Sequence, residues 1–525
     1  LKEQHSRCLI KIKNLEEERK KNRTNLKLIG NILEDSEKLD EKAIFLMDLI
    51  TNYGKKRPQW SEMSVRSCTI WRYCSPKGYE YCRNNIFKLP SKSTISRYLG
   101  AFPGPNKLIK DRLCGEISQL SIGAERICSL IIDDMCIKQK VSYSRSEDRI
   151  FGLDNTQADT VTENPKIANK MLCYVIHGLS TKFTIPAGYF FHASLTTEIF
   201  YSLTMQVLNL LTECGFIVLR IVTDNFSSNI ALFKKLSGGQ MKNYIPHPIL
   251  NHIPLFLSFD FCHAVKNART LFLDHDMCSS EGVISTTYLK KIYDIQKNLP
   301  VKPIRFLTRK HLFPSNFEKM NVMRAVQIFS PTVTATLRYL QESEDCRFQR
   351  VDATITFMKH MHYFFQIHNV SNRTYYIRSL DSSIAPYVDV SDERLEWLHV
   401  TFPNYIDDIQ HISVTAGMKG LSQETAHALK FTAESMCIKF LLSQAGFYYV
   451  LTRAFSSDAV EATFSHVRLR GGSNDATDGR AAEYAMRQIL RCGIVKTSKS
   501  SNTASTVNYV SHAFVQNLNS RTDTE

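Results

Sequence analysis

Asp133 and Asp134 follow a short apolar run, Cys128 to Ile132, whose isoleucine-rich pattern predicts a strand buried on both faces. A carboxylate at the end of such a strand is costly to bury unless something pairs with it, and a metal ion is the usual partner. A strand that has simply reached solvent gives the same pattern. Asp224 repeats the arrangement after the run Phe216 to Val222. Further on, Asp458 and Glu461 fall one turn apart on one face of a late helical stretch, as they also would on a solvated helix face. Asp133, Asp224 and Glu461 together could hold two Mg²⁺ ions about 4 Å apart, which activate an attacking oxygen and stabilise the leaving oxygen of a phosphodiester. Small, hard cations of this kind need carboxylate oxygens. The gaps between the three acids are wide, so spacing alone gives them little specificity.

The elements that must position these acids lie mainly in residues 115–275, which alternate strand and helix patterns in an α/β arrangement. The run ending at Asp133 leads into a polar hairpin. Two further strands follow, Met171 to Leu179 and Phe183 to Phe191, then a helix from Thr196 to Cys214 stopped by Gly215. A third strand with an acid at its end runs to Asp260 and His263. Sites in open α/β sheets lie beyond the carboxyl ends of the strands, which is where these acids fall. Residues 276–415 lose the strand alternation and read as a separate helical body inserted into the α/β domain, which resumes over 416–495.

Before the α/β part, residues 36–105 read as short helices with sharp punctuation. Ser75-Pro76 supplies a cap and a first-turn proline, and Ser91 caps a last helix carrying Lys92, Thr94 and Arg97. Small polar and basic residues in a helix's first turns suit the recognition helix of a helix-turn-helix, although a purely structural bundle fits the same pattern. Residues 1–35 read as a charged helix or short coiled coil and 496–525 as a flexible tail, with homo-oligomerisation left open.

Lysine and arginine number 66 against 51 acids, a formal charge of +15, which favours a polyanionic partner such as nucleic acid. No apolar run is long enough to span a membrane. The fourteen cysteines show no C-x-x-C pair and no zinc spacing, which points to a reducing compartment.

Over roughly residues 40–495 the sequence resembles the P element transposases and their THAP-domain relatives. The family's strand-end D-E-M reads here as Asp133-Asp134-Met135, followed by Ile137 and Lys138. Its D-x4-N before a helix reads as Asp224 and Asn229, and its D-x-x-H-x-x-K as Asp260, His263 and Lys266. Its K-M-x-V and Q-x-F-S segments match Lys319, Met320, Val322, Gln327, Phe329 and Ser330. D-x-x-E-x-x-F and R-x-x-G-G-x-N match Asp458, Glu461, Phe464, Arg468, Gly471, Gly472 and Asn474. Each motif is loose, but five in this order are not chance.

The resemblance implies an RNase H-like catalytic domain interrupted by an all-helical insertion and preceded by a helix-turn-helix. It assigns Asp133, Asp224 and Glu461 to metal binding and catalysis with Mg²⁺ or Mn²⁺. The implied partners are transposon ends and target DNA, with no membrane, in the nucleus. It also implies an N-terminal zinc-binding domain in full-length relatives, which this chain, opening on Leu1, is expected to lack. The family's insertion binds GTP through an Asp and an Asn three residues later. Here Gln366 stands at the first position and Asn369 at the second. A carboxylate accepts both N1–H and N2–H of guanine, whereas a neutral amide offers one acceptor oxygen. The expected function is therefore a DDE-type DNA transposase. The alternative is a transposase-derived DNA-binding protein without catalysis, which would also explain the changed neighbours of Glu461 (Ser457 and Ala462).

Overall fold

The computed structural model describes residues 11–14, 16, 17, 20, 41–99, 104–145, 147–156, 166–434, 437–470 and 477–492. The opening segment 1–35 lies outside them apart from a few exposed helical residues, as do Gly471, Gly472, Asn474 and the tail 496–525. The chain divides into two compact units, the first of residues 1–104 with 491–495 and the second of residues 105–490 with 496–525.

In the first unit, polar caps punctuate four short helices: α1 (Glu41–Asn52), α2 (Glu62–Cys74), α3 (Pro76–Asn85) and α4 (Lys92–Leu99). The fully buried Asn52 closes the α1–α2 connection, its amide donating to the Asp48 and Gln59 carbonyls while its oxygen accepts from Gln59 N. Ser61 caps α2 and Ser75 caps α3, with Pro76 in the first turn as its fixed φ allows. Val65, Cys68, Tyr79, Leu89 and Ile95 form the core, and the Tyr79 hydroxyl donates to Pro90 O at 2.7 Å.

The second unit is built on six strands: β1 (Ile127–Cys136), β4 (Lys170–Gly178), β5 (Thr184–His192), β6 (Ile217–Thr223), β7 (Tyr244–Pro246) and β8 (Pro254–Phe259). The intervening β2 (Ser142–Ser144) and β3 (Arg149–Phe151) form a separate hairpin. The sheet order is β5-β4-β1-β6-β8-β7. An antiparallel meander of β5, β4 and β1 continues into parallel β6 and β8, with β7 antiparallel at the edge. This mixed sheet is the one an RNase H-like domain requires.

Its central strands carry near-continuous apolar runs because both faces are covered. Ile127 to Ile132 are all buried, as are Met171 to Gly178. Helix α5 (Pro105–Ile117) packs against β5 and against α6 (Thr197–Cys214). Thr196 caps α6, and Gly215 at φ +93° ends it, a conformation that suits a residue without Cβ. Helix α7 (Ser227–Leu236) connects β6 onward, and α8 (Phe261–Asp274) starts directly after β8.

Two sequence expectations are corrected here. The first strand does not stop at Asp133. It runs to Cys136, because antiparallel β4 pairs with it as far as Cys136↔Lys170. Parallel pairing with β6 ends at Ile131↔Val222, so the two acids lie beyond the parallel part of the sheet although still inside a strand. His263 is likewise not at a strand end, since β8 stops at Phe259 and His263 sits in the first turn of α8.

Beyond α8 the insertion is helical, with one departure. A hairpin of β9 (Met277–Ser279) and β10 (Gly282–Ile284) lies inside the stretch expected to be all-helical. Ser280 and Glu281 make the turn, Gly282 at φ +124° opens β10, and the alternation that buries Met277 and Ile284 pins the two short strands to the core. The long helix α9 (Asp352–His368) crosses this region with ten buried residues, and Phe272 of α8 packs on Phe329 and Phe357. The chain then returns through α10 (Asp458–Arg470), which packs on β1 and β4, and α11 (Gly479–Cys492). Arg487 of α11 pairs with Glu483 and Glu147, and Glu483 with Arg149, tying α11 to the β2–β3 hairpin.

Candidate active site

Asp133 and Asp224 are brought together by the register of the parallel pair. Ile131 faces Val222, so two residues further along, Asp133 stands beside Asp224 just past the end of β6. Both line a cavity of about 160 Å³ with Cys136, Lys170, Phe226 and Asn229. Asp224 Oδ1 accepts from Phe226 N at 3.0 Å and Asn229 Nδ2 at 2.5 Å, which fixes the carboxylate at the entry to α7. Burial and then the negative charge of Asp224 push the Asp133 carboxyl up to about 7, against the opposing pull of His263 and of Asp134 N–H.

Asp134 does different work. Alternation along the strand turns it to the other face from Asp133, although it also borders the same cavity. There it takes Lys170 at 3.2 Å and His192 at 3.0 Å. Burial opposes its charge, but the His192 hydrogen bond and Lys170 prevail and hold it below the usual carboxylate range.

Glu461 arrives from the first turn of α10. Its Oε1 lies 3.8 Å from His263 Nε2 and 3.5 Å from Ser457 Oγ. Burial works against its charge, yet His263 and Lys266 keep its carboxyl below the ordinary value. Its charge is felt at Asp133, so the three acids share one electrostatic site, although Glu461 is not among the residues lining the cavity of the other two. Among the described residues, no three His, Cys, Asp or Glu side chains are gathered closely enough to hold one metal ion.

Asp260 and His263 carry more of the site than their place in a motif suggested. The fully buried Asp260 caps α8, its Oδ2 accepting His263 N at 3.1 Å, while its Oδ1 accepts Ser457 N at 3.2 Å just ahead of α10. One carboxylate thus fixes the starts of both helices that present His263 and Glu461. The available sequence signal was an acid at a strand end followed three residues later by a histidine.

The residues expected to bind nucleotide do not converge. Gln366 lines a cavity of about 380 Å³ with Lys359, His360, His362, Tyr363 and Trp397. Its amide is already used: Nε2 donates to Asp381 Oδ2 at 2.8 Å and Oε1 accepts from Ser383 Oγ at 3.1 Å. Asn369, just past α9, is absent from that lining, and its Oδ1 takes the guanidinium of Arg453. In the first unit, Lys92 and Arg97 are exposed on α4, Thr94 is half-buried, and Ser91 Oγ accepts Thr94 N at 3.2 Å as the helix cap.

With this geometry described, comparison with known proteins gives a consistent result. Residues 101–237 match the family described as TNP-like, RNase H N-terminal domain, and residues 262–377 match TNP-like, GTP-binding insertion domain. The Transposable element P transposase of Drosophila melanogaster is 20% identical over 441 residues, covering 84% of this chain and 55% of that protein. The human DNA transposase THAP9 is 24% identical over 486 residues, covering 86% of this chain and 51% of that protein. The chain therefore spans about half the length of these curated relatives. The solved Drosophila P element transposase strand transfer complex superposes with a TM-score of 0.70 at 19% identity, over 88% of this chain and 98% of that one. The sheet order, the insertion after α8 and the sequence matches agree, and the chain is similar to the P element transposases in sequence and in fold.

Proposed function

We propose that this protein is a DNA transposase that hydrolyses a phosphodiester at transposon ends and then joins the freed 3′-OH to target DNA. The observation that carries this reading is the meeting of Asp133 and Asp224 beyond the parallel strands, with Glu461 within electrostatic reach. A buried carboxylate such as Asp133, its proton affinity raised by burial and by the charge of Asp224 beside it, is the kind of donor a divalent cation relieves, so the pair suits Mg²⁺ or Mn²⁺. Asp133 and Asp224 would hold the ion, and Glu461, which stands outside their cavity, would have to move towards them to complete the set. Such a cation, when bound, makes an oxygen nucleophile available at neutral pH and offsets charge on the phosphate.

The chain's own groups do the rest. Asn229 and Phe226 N orient the Asp224 carboxylate. His263, whose proton affinity burial lowers but Glu461 and Asp260 raise on balance, is shifted towards its charged form beside Glu461. Asp133 can hold or release a proton near neutrality. The exposed Lys92 and Arg97 of α4 suit DNA phosphates in a helix-turn-helix, with Thr94 at the helix start. Action on DNA in the nucleus follows from the same reading. GTP fits poorly, because the polar atoms of Gln366 and Asn369 that would read guanine are taken by protein partners.

The test is a nicking assay on duplexes carrying the element's terminal repeats, with Mg²⁺ and then Mn²⁺. Asp224→Asn is expected to abolish cleavage and leave DNA binding intact. Cleavage unchanged in that variant overturns the assignment. A second reading, a DNA-binding protein without catalysis, draws on the separation of Glu461 from the cavity of Asp133 and Asp224. Tight, salt-sensitive DNA binding with no nicking under either metal would select it.

A further inference from the structure

Arg453 occupies the joint between the insertion and the helix that carries Glu461. It lies in the 3-10 turn Thr452–Phe455, five residues ahead of Asp458. The main chain there is fastened to the segment that ends α9. Arg453 N donates to Val370 O at 3.0 Å, Thr452 Oγ1 donates to Ile367 O at 2.7 Å, and Val370 N donates to Thr452 Oγ1 at 3.2 Å. The guanidinium then reaches in two directions. Nη1 donates to Asn369 Oδ1 of the insertion, and Nη2 pairs with Asp458 Oδ2 in the first turn of α10.

Asp458 needs such a partner. Burial disfavours its charge most, and the nearby carboxylates of Asp260 and Glu461 repel it further. Among the described residues, Arg453, His263 and Lys266 are cations facing this acid group, and of these three Arg453 pairs directly with Asp458. A planar guanidinium presents several donors in a fixed fork, so it can hold an amide oxygen and a carboxylate at once, which a lysine ammonium does less well.

We propose that Arg453 is a positioning residue that ties Asn369 to Asp458 from within the chain, so that Glu461 is held in place without a guanine nucleotide. The proposal rests on the reading of Asp133, Asp224 and Glu461 as catalytic acids. It departs from the description of residues 262–377 as a GTP-binding insertion.

Two measurements on the full chain test it, and the first does not depend on cleavage. Titration with a fluorescent GTP analogue, followed by anisotropy, is expected to show no saturable binding, and GTP is expected to leave the melting temperature unmoved. Saturable binding that Asn369→Ala removes would overturn the proposal. The second compares Arg453→Ala with Arg453→Lys, which keeps the charge and is the variant more certain to fold. Both are expected to lower kcat by about 10- to 100-fold with KM for DNA unchanged. Low millimolar methylguanidinium should restore Arg453→Ala and do nothing for the unsubstituted protein. Full activity in Arg453→Lys, or absence of rescue in a folded Arg453→Ala, would count against it. If the unsubstituted protein does not cleave at all, the catalytic reading fails, and the nucleotide titration still decides whether the joint is ligand-free.

Discussion

His263 Nε2 stands 3.8 Å from Glu461 Oε1, joining the first turn of α8 to the first turn of α10. The contact works in both directions, since the carboxylate raises the proton affinity of the imidazole and the imidazole lowers that of the carboxylate. Under the proposed function, this contact would favour the charged form of Glu461 for a cation near Asp133 and Asp224. Replacing His263 by Gln keeps a hydrogen-bonding side chain and removes the charge. The expected result is a loss of about 10- to 100-fold in metal-dependent cleavage, with Mn²⁺ affinity falling in parallel in calorimetry. DNA binding measured without metal should not change. An equal loss of DNA binding would mean that His263 acts on the fold instead.

Asp260 offers a stability test at the same joint. Its two oxygens accept His263 N and Ser457 N, and no part of the side chain is exposed. Asp260→Ala leaves both buried N–H groups without their acceptor, a cost of about 2 to 4 kcal/mol. A drop in thermal midpoint should therefore accompany the loss of activity. Asp260→Asn, which can still accept one of the two bonds, should fall between. If Asp260→Ala melts with the unsubstituted protein, the two helix starts are held by something else.

The route from sequence to this site was uneven, for physical reasons. The strands flanking Asp133 and Asp224 were legible because central strands of a mixed sheet need apolar residues on both faces, and the runs Cys128 to Ile132 and Phe216 to Val222 supply them. The end of β1 was not legible. Whether a strand continues past Asp133 depends on β4, whose pairing no local pattern around Asp133 encodes. The helix caps at Ser75, Ser91 and Thr196 were local and could be read directly. Long-range partners were not: Asn369 with Arg453 and Asp260 with Ser457 are fixed only once distant parts of the chain have packed together, and Gln366 with Asp381 only once the insertion itself has folded. Asn369, read from the sequence as a base-reading amide, has its Oδ1 bonded to Arg453 in the structure.

The raised proton affinity of Asp133 makes stability depend on pH in a definite direction. With a carboxyl at about 7 in the folded chain and near 4 when unfolded, the folded state holds a proton that the unfolded state has released between those values. In metal-free buffer this group therefore lowers stability as pH rises from about 4 to 7, and its effect is flat above that. Asp133→Asn removes the slope. In EDTA the variant should be more stable than the unsubstituted protein at pH 7.5, by on the order of 2 kcal/mol because the side chain is only part-buried, and the two should converge near pH 4. Adding Mn²⁺ should raise the melting temperature of the unsubstituted protein and leave the variant where it was. A variant less stable at pH 7.5 would contradict the crowding of Asp133 by Asp224.

The exposed residues of α4 can be separated by how their effect on DNA binding responds to salt. Lys92 and Arg97 are open to solvent, whereas the neighbouring Ile95 is buried in the core of its unit at 2% exposure. Their charges are thus available to phosphates at no cost to packing. If each neutralises one phosphate, Lys92→Ala and Arg97→Ala should each weaken binding and reduce the slope of log affinity against log salt by about 1. Thr94 differs, because its N–H and hydroxyl are both engaged with Ser91 Oγ, at 3.2 Å and 3.0 Å. Thr94→Ala should weaken binding through the helix start and leave the salt slope as it was. Fluorescence anisotropy of the full chain on a terminal-repeat duplex, repeated from low to moderate salt, distinguishes the two behaviours. Unchanged slopes in both charge variants would move the DNA contact away from α4 and leave these helices as a structural bundle.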